Sequence, residues 1–263
     1  MPIITLITDF GLKDGNVGVM KGVIQGICPG CDIIDLSHQI SPQNIQEAGL
    51  ILQRRAPYFP RDSVHLIVVD PGVGTTRRPI AARLGEHYFV APDNGLLSQV
   101  VNRAIDEKES VRFFHLNNPR YWLPEISHVF HGRDIFAPCA AHLARGVAIQ
   151  VLGAEIFDPI LMPVDKPSET GFGFIGKIIH IDHFGNLSTN IRREHLGTHK
   201  TLIVKTPNGN FEGLFKTFGD CPAGTLMALL GSTGNLILSE VNGSAADRLN
   251  LKIDDRIEIH WKD

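Results

Sequence analysis

Short apolar runs alternate with stretches of helical periodicity through the first 150 residues of the chain. IITLIT (3–8) reads as a strand, and apolar positions spaced three and four apart over 15–27 read as a helix. DIIDL (32–36) is a second strand, and Ser41-Pro42 has the form of an N-cap and first-turn pair opening a helix through Arg55. VHLIVVD (64–70) is a third strand, and IAARLGEHYFVAP a hairpin turning at Gly85-Glu86. Helices are expected from Gly95 and from Arg133 to Arg145. Such alternation predicts a mostly parallel sheet flanked by helices on both faces.

The pattern changes at 153–173, where Pro159, Pro163, Pro167, Gly171 and Gly173 interrupt any period. Beyond it come short β-type runs, GKIIHID, TLIVK, LMALL, LILSEV and RIEIHW, separated by Gly, Asn and Asp turns. The expected organisation is an N-terminal α/β domain over 1–155, a linker over 156–173, and a smaller all-β domain, barrel-like or sandwich-like, over 174–263.

Composition narrows the classes. Of 263 residues, 43% are hydrophobic and 20% charged, with Lys+Arg 25 against Asp+Glu 28. A net charge of -3 gives no reason to expect a nucleic-acid or anionic-membrane partner. MPIITLITDFG lacks a basic leader and a cleavage site, and no apolar run reaches membrane-spanning length, so a cytoplasmic protein is expected. Four cysteines in a chain of this length do not make a disulfide framework. Cys28-Pro29-Gly30-Cys31 follows a helix rather than a strand, and reads as a helix-to-strand turn rather than a redox pair.

Two strands run into an aspartate, Asp9 in TDFG and Asp70 in DPGVG. Open α/β sheets bind ligands at the carboxyl ends of their strands, so two acids there point to a site beyond turn capping. Phe130-His131-Gly132-Arg133-Asp134, just before an apolar helix, adds an imidazole. Gly72-Val73-Gly74-Thr75 matches neither phosphate-loop pattern. In the β part, His180 and Asp182 would share one strand face while His183 points away, which argues against a metal site, and Phe184-Gly185-Asn186 reads as a turn.

Together the stretches TDFG (8–11), DPGVGTTRR (70–78), PDNGLL (92–97), FHGRDIFAP (130–138), IDHFGN (181–186) and NGSAADRLN (242–250) resemble the S-adenosyl-L-methionine (SAM) hydroxide adenosyltransferases, relatives of the fluorinating and chlorinating enzymes. The resemblance runs nearly end to end. It implies a homotrimer, with each site between one subunit's N-terminal domain and its neighbour's C-terminal domain. It implies SAM as substrate, no cofactor and no metal. It also implies that Asp70, Arg77 and His131 hold and activate the attacking water, Arg77 keeping Asp70 ionised and His131 able to take the proton. Arg78 falls outside that set and is expected at the surface. For the substrate it implies Asp9 on the ribose hydroxyls and Asn186 on the adenine. Asp182 and Ser232 would serve the methionine part, Phe218 the adenine face, and backbone near Glu240 and Asn242 the adenine edge. Gln43 stands where the fluorinating enzymes carry an aromatic residue.

Three other readings compete. Halogenases of the superfamily carry tyrosines at the positions of Asp70 and His131 and a serine at Gly132, and an insertion after the position of Arg83 that this chain lacks. A carboxylate at the nucleophile site would moreover repel a halide. A nucleoside-binding protein without turnover would have no use for Asp70, Arg77 and His131 together. A metal-dependent hydrolase would draw on Asp9, Asp70, His131 and His183.

Overall fold

A computed structural model describes residues 1–197 and 201–262, and they form two compact units that divide between Val164 and Asp165. The first contains β1 (Ile3–Thr8), α1 (Asn16–Ile27), β2 (Asp32–Ser37), α2 (Ile45–Arg55), β3 (Val64–Val68), β4 (Pro79–Leu84) and β5 (His87–Pro92). It continues with α3 (Ser98–Asp106), β6 (Val111–His115), a π-helical turn (Gly132–Phe136), α4 (Ala137–Ala144) and β7 (Glu155–Ile156).

These strands make one seven-stranded sheet in the order β2-β1-β3-β5-β4-β6-β7. β2, β1, β3 and β5 run parallel, and β4, β6 and β7 extend the sheet antiparallel. The period-2 alternation of the central strands feeds two cores. Ile4, Leu6, Val64, Leu66 and Val68 face α1 and α4, whereas Ile7, Ile67 and Val69 face α2 and α3. Directly paired across β1 and β3, Thr5 and His65 share a buried 2.7 Å hydrogen bond, and burial holds His65 neutral, its pKa pushed down to about 3.

Several elements depart from their predicted bounds for local reasons. Gln43 is left-handed (φ 63), so the helix expected from Ser41 starts only at Ile45, with Asn44 as its cap accepting from the Glu47 amide at 3.0 Å. Gly95 is left-handed as well (φ 91), which delays α3 to Ser98. The hairpin turns at Gly85-Glu86 as expected, with Leu84 opposite His87. Cys28 and Cys31 flank a turn with Gly30 at φ 84, and burial holds the Cys31 thiol up at about 12, unreactive. Residues 157–164 lie on the first unit. The Ile160 amide donates to Asp93 Oδ1 at 2.8 Å and the Met162 amide to Ser98 Oγ at 2.7 Å.

The second unit contains β8 (Ser168–Thr170), β9 (Gly173–Ile181), β10 (Leu187–Arg192), α5 (Arg193–Leu196), β11 (Leu202–Thr206), β12 (Gly209–Glu212) and β13 (Leu214–Phe215). β14 (Leu226–Leu230), β15 (Asn235–Glu240), α6 (Ala245–Leu249) and β16 (Arg256–Trp261) complete it. The strands form a nearly closed, barrel-like sheet in the order β12-β11-β16-β9-β10-β15-β14-β13, with β8 beside β9. Ile178, Leu187, Val204, Leu236, Leu238 and Ile259 fill its interior. Among the described residues no helix is long and apolar enough to cross a membrane.

Candidate active site

In the first unit the connection through α1 leaves β1 on one sheet face, while the connection through α2 reaches β3 on the other. The strand order therefore reverses between β1 and β3, and a crevice is expected at their carboxyl ends. Asp9 and Asp70 lie there, one and two residues past paired Thr8 and Val68.

Asp70 opens a turn closed by the Val73 amide on its carbonyl at 3.2 Å. The turn swings Arg77 back onto the carboxylate, Nε to Oδ1 at 3.0 Å and Nη2 to Oδ2 at 2.5 Å. Both side chains are buried, 6% and 5% exposed. This two-pronged geometry is one that arginine supplies and lysine does not. Burial pushes the Asp70 carboxyl above its ordinary value, and the Arg77 guanidinium and the Gly72 amide pull against it. The residual effect is a carboxylate more basic than a free one.

Arg77 Nη2 also lies 3.1 Å from Nδ1 of His131, fifty-four residues along the chain. A guanidinium only donates, so Nδ1 must be the acceptor, and the neutral ring then carries its proton on Nε2. Burial first, and Arg77 second, push the imidazole pKa below its ordinary value. A proton arriving at Nδ1 would break the Arg77 bond. The expected role of His131 as proton acceptor is thus not the one this geometry favours: Nε2–H is a donor.

Two loops interlock to make this contact. Gly74 is left-handed (φ 76), and a Cβ there would lie 2.5 Å from the carbonyl oxygen of His128. Phe10, next to Asp9, meets Phe130 edge to face at 5.9 Å, and Gly132 is wedged against Phe10, Phe130 and Met20. Asp9 itself accepts from the backbone amide of left-handed Gln43 at 2.8 Å. Arg78, expected at the surface, instead pairs with Asp93, which is 1% exposed, at 2.6 Å, and with Asp158 at 2.9 Å. It fastens the end of β5 to the 157–164 segment.

In the second unit, Asp182 and Asn186 form one structure. Asp182 Oδ1 accepts from the amides of Phe184 and Asn186, each at 2.9 Å, and Oδ2 from Asn186 Nδ2 at 2.8 Å. The turn brings Gly185 so close to Ser244 that any larger residue would collide with it, and Ala246 donates to the Gly185 carbonyl at 3.0 Å. IDHFGN and NGSAADRLN are thereby joined. Glu240 pairs with Arg248 at 2.9 Å beside left-handed Asn242 (φ 57). Phe184, 73% exposed at the turn tip, is an aromatic that sequence reasoning passed over as plain turn.

Ser232 is not part of that cluster. Leu226 pairs with Glu240 and Leu230 with Leu236, so the turn carrying Ser232 closes the opposite end of the β14–β15 hairpin from Glu240. Phe218 follows β13, which runs parallel to β14. Among the described residues no three metal-ligating side chains converge.

A family model for the SAM hydroxide adenosyltransferase N-terminal domain matches residues 4–153, and its C-terminal counterpart matches 176–258. An (R)-S-adenosyl-L-methionine hydrolase from Thermus thermophilus is 38% identical over 254 residues, 94% of either chain. A fluorinase from Nocardia brasiliensis is 28% identical over 293 residues, 98% of this chain and 96% of its own. A crystal structure of an uncharacterised conserved protein from Thermotoga maritima shares the fold at TM-score 0.90 and 36% identity, covering 98% of this chain and 99% of that one. With both domain models satisfied in order and near-complete coverage at this identity, the chain belongs to the SAM hydroxide adenosyltransferase family.

Proposed function

We propose that this chain hydrolyses S-adenosyl-L-methionine at ribose C5′, giving adenosine and L-methionine. The observation that carries the reading is the buried Asp70–Arg77 pair, with half-buried His131 bonded to it, at the strand crossover. Water attacks C5′ in line with the departing sulfur. The new O–C5′ bond forms as the C5′–S bond breaks, and the electron pair neutralises the sulfonium, leaving methionine as a neutral thioether. No acid is required for that leaving group. The proton shed by the water goes to Asp70, the more basic for its burial. Nε2–H of His131, fixed by the Arg77 bond to Nδ1, donates to the water oxygen and orients a lone pair at carbon. A positioned base of this kind contributes on the order of 10²–10⁴-fold.

For binding, Asp9 takes the ribose hydroxyls, Asn186 the adenine and Asp182 the methionine ammonium. Phe218 serves the adenine face and the backbone at Glu240 and Asn242 the adenine edge, whereas Ser232, at the opposite end of the β14–β15 hairpin from Glu240, is left out of this set. The two groups of contacts lie on different units, which fits a homotrimer in which adjacent subunits complete each site. The reaction uses no metal and no cofactor, and the setting is cytoplasmic.

The test is incubation with SAM in H₂¹⁸O, with and without chloride and chelator, followed by chromatography and mass spectrometry. Adenosine carrying ¹⁸O at the 5′ position, formed in every arm, is expected. A 5′-chloro nucleoside as main product would overturn hydrolysis. Activity lost to chelator and restored by a metal would overturn the metal-free mechanism.

A further inference from the structure

His131 follows an irregular stretch, 122–130, that has no strand or α-helix to hold it. Its anchor is Asp134, a carboxylate with 0% exposure in the π-helical turn that begins one residue after His131. Asp134 Oδ2 accepts from the Ser127 amide at 2.8 Å, and its carbonyl accepts from the Leu123 amide at 2.9 Å. Its own amide returns to the Phe130 carbonyl at 3.2 Å, so the residue holds the stretch at three places. The buried charge is balanced by Arg133, at 2.6 Å to Oδ1, whose guanidinium lies over the Phe130 ring at 5.2 Å. The turn is a π turn because Ala137 donates to the Gly132 carbonyl, five residues back. Such single wide turns recur at functional sites.

We infer that Asp134 is a positioning residue for His131, an inference that rests on the hydrolase reading above. The carboxylate fixes Ser127 four residues before the imidazole, while Gly74 meets the next carbonyl, that of His128, from the opposite loop. Together they set where Nδ1 meets Arg77. Asp134 touches no reacting atom. Its work is to keep Nε2–H aimed, and a displacement of about 1 Å in such a group costs on the order of 10²-fold.

The experiment is a double-mutant cycle on the full chain with an independent readout of the ring. Asp134→Ala should lower kcat by roughly 10- to 100-fold with KM held within about twofold. Asp134→Asn, which keeps one acceptor, should fall between it and wild type, and serves if the alanine variant does not fold. In a His131→Ala background either change should cost less than about twofold more, because the group being positioned is gone. An undiminished loss in that background would show that Asp134 acts on the fold and not through His131, and would overturn the proposal. Imidazole ¹⁵N resonances of His131 supply the second readout. Wild type should show Nε2 protonated and Nδ1 as acceptor, with that signature disturbed in the Asp134 variants; an unchanged signature overturns the inference. Should wild type leave SAM intact, the hydrolase reading fails while the ¹⁵N spectra still decide the positioning.

Discussion

The strand-end site of the first unit and the Asp182–Asn186 turn of the second both centre on an aspartate, yet they treat it oppositely. Asp70 is buried under a guanidinium, and its burial raises the carboxyl pKa despite that partner. Asp182 sits in a turn whose neighbour Phe184 is 73% exposed, and its oxygens bind the turn's own amides and the Asn186 side chain. The first arrangement sacrifices stability. A folded carboxyl pKa above the unfolded value means that its contribution to stability is fullest at low pH and is lost as pH rises through the folded value. The second arrangement is a self-satisfied Asx turn, cheap to build and well suited to presenting an amide and an aromatic ring. On the proposed mechanism the buried charged site serves the reacting atoms and the self-satisfied turn reads the ligand.

The sharpest way to break the comparison is pH. Both Asp70 and His131 must be deprotonated, the first as acceptor and the second to keep its Nδ1 bond to Arg77. Burial raises the Asp70 carboxyl and lowers the His131 imidazole from their ordinary values, so the two ionisations draw together and jointly set the acid limb. kcat/KM should be flat from pH 8 down to pH 7 and fall as the pH is lowered further, by about tenfold per unit for each group that becomes protonated. An inflection above pH 7 would contradict the assigned protonation states.

Next in size is Asn186→Ala. If the turn recognises and does not react, KM should rise by roughly tenfold, the value of a lost hydrogen bond or two, with kcat within about twofold. A fall in kcat at constant KM would erase the distinction between the regions. The smallest effect on turnover is expected from Arg78→Ala, although it neighbours Arg77. Its partner Asp93 is 1% exposed, and losing the pair should lower Tm by roughly 5–10 °C while the folded enzyme works near normally. Thermal unfolding and initial rates on the same preparation separate the two.

That pair of arginines also marks how far the sequence could be read. The alternation of apolar runs located most of the central strands, because that signal is local, and the two carboxylates read at strand ends do lie at the crossover between β1 and β3. VRFFH (111–115) escaped notice as a strand because an arginine breaks its short apolar run, and the left-handed Gln43 that delays α2 has no local signature. Arg78 looked like surface because its partners, Asp93 and Asp158, are distant in sequence. The tautomer of His131 depends on a contact spanning 54 residues, and Asp134 on an amide that any residue but proline at 127 would offer. Neither leaves a side-chain pattern to find. The far-end placement of Ser232 followed only from strand register.

The most direct measurement is the turnover and the SAM affinity of Asp70→Asn on one folded preparation. Asparagine keeps the size and the turn, but it cannot take a proton from water or meet both prongs of Arg77. The account predicts kcat lower by roughly two to four orders of magnitude with affinity nearly unchanged. Near-wild-type turnover with intact binding would mean that Asp70 only shapes the DPGVG turn, and would contradict the proposed mechanism.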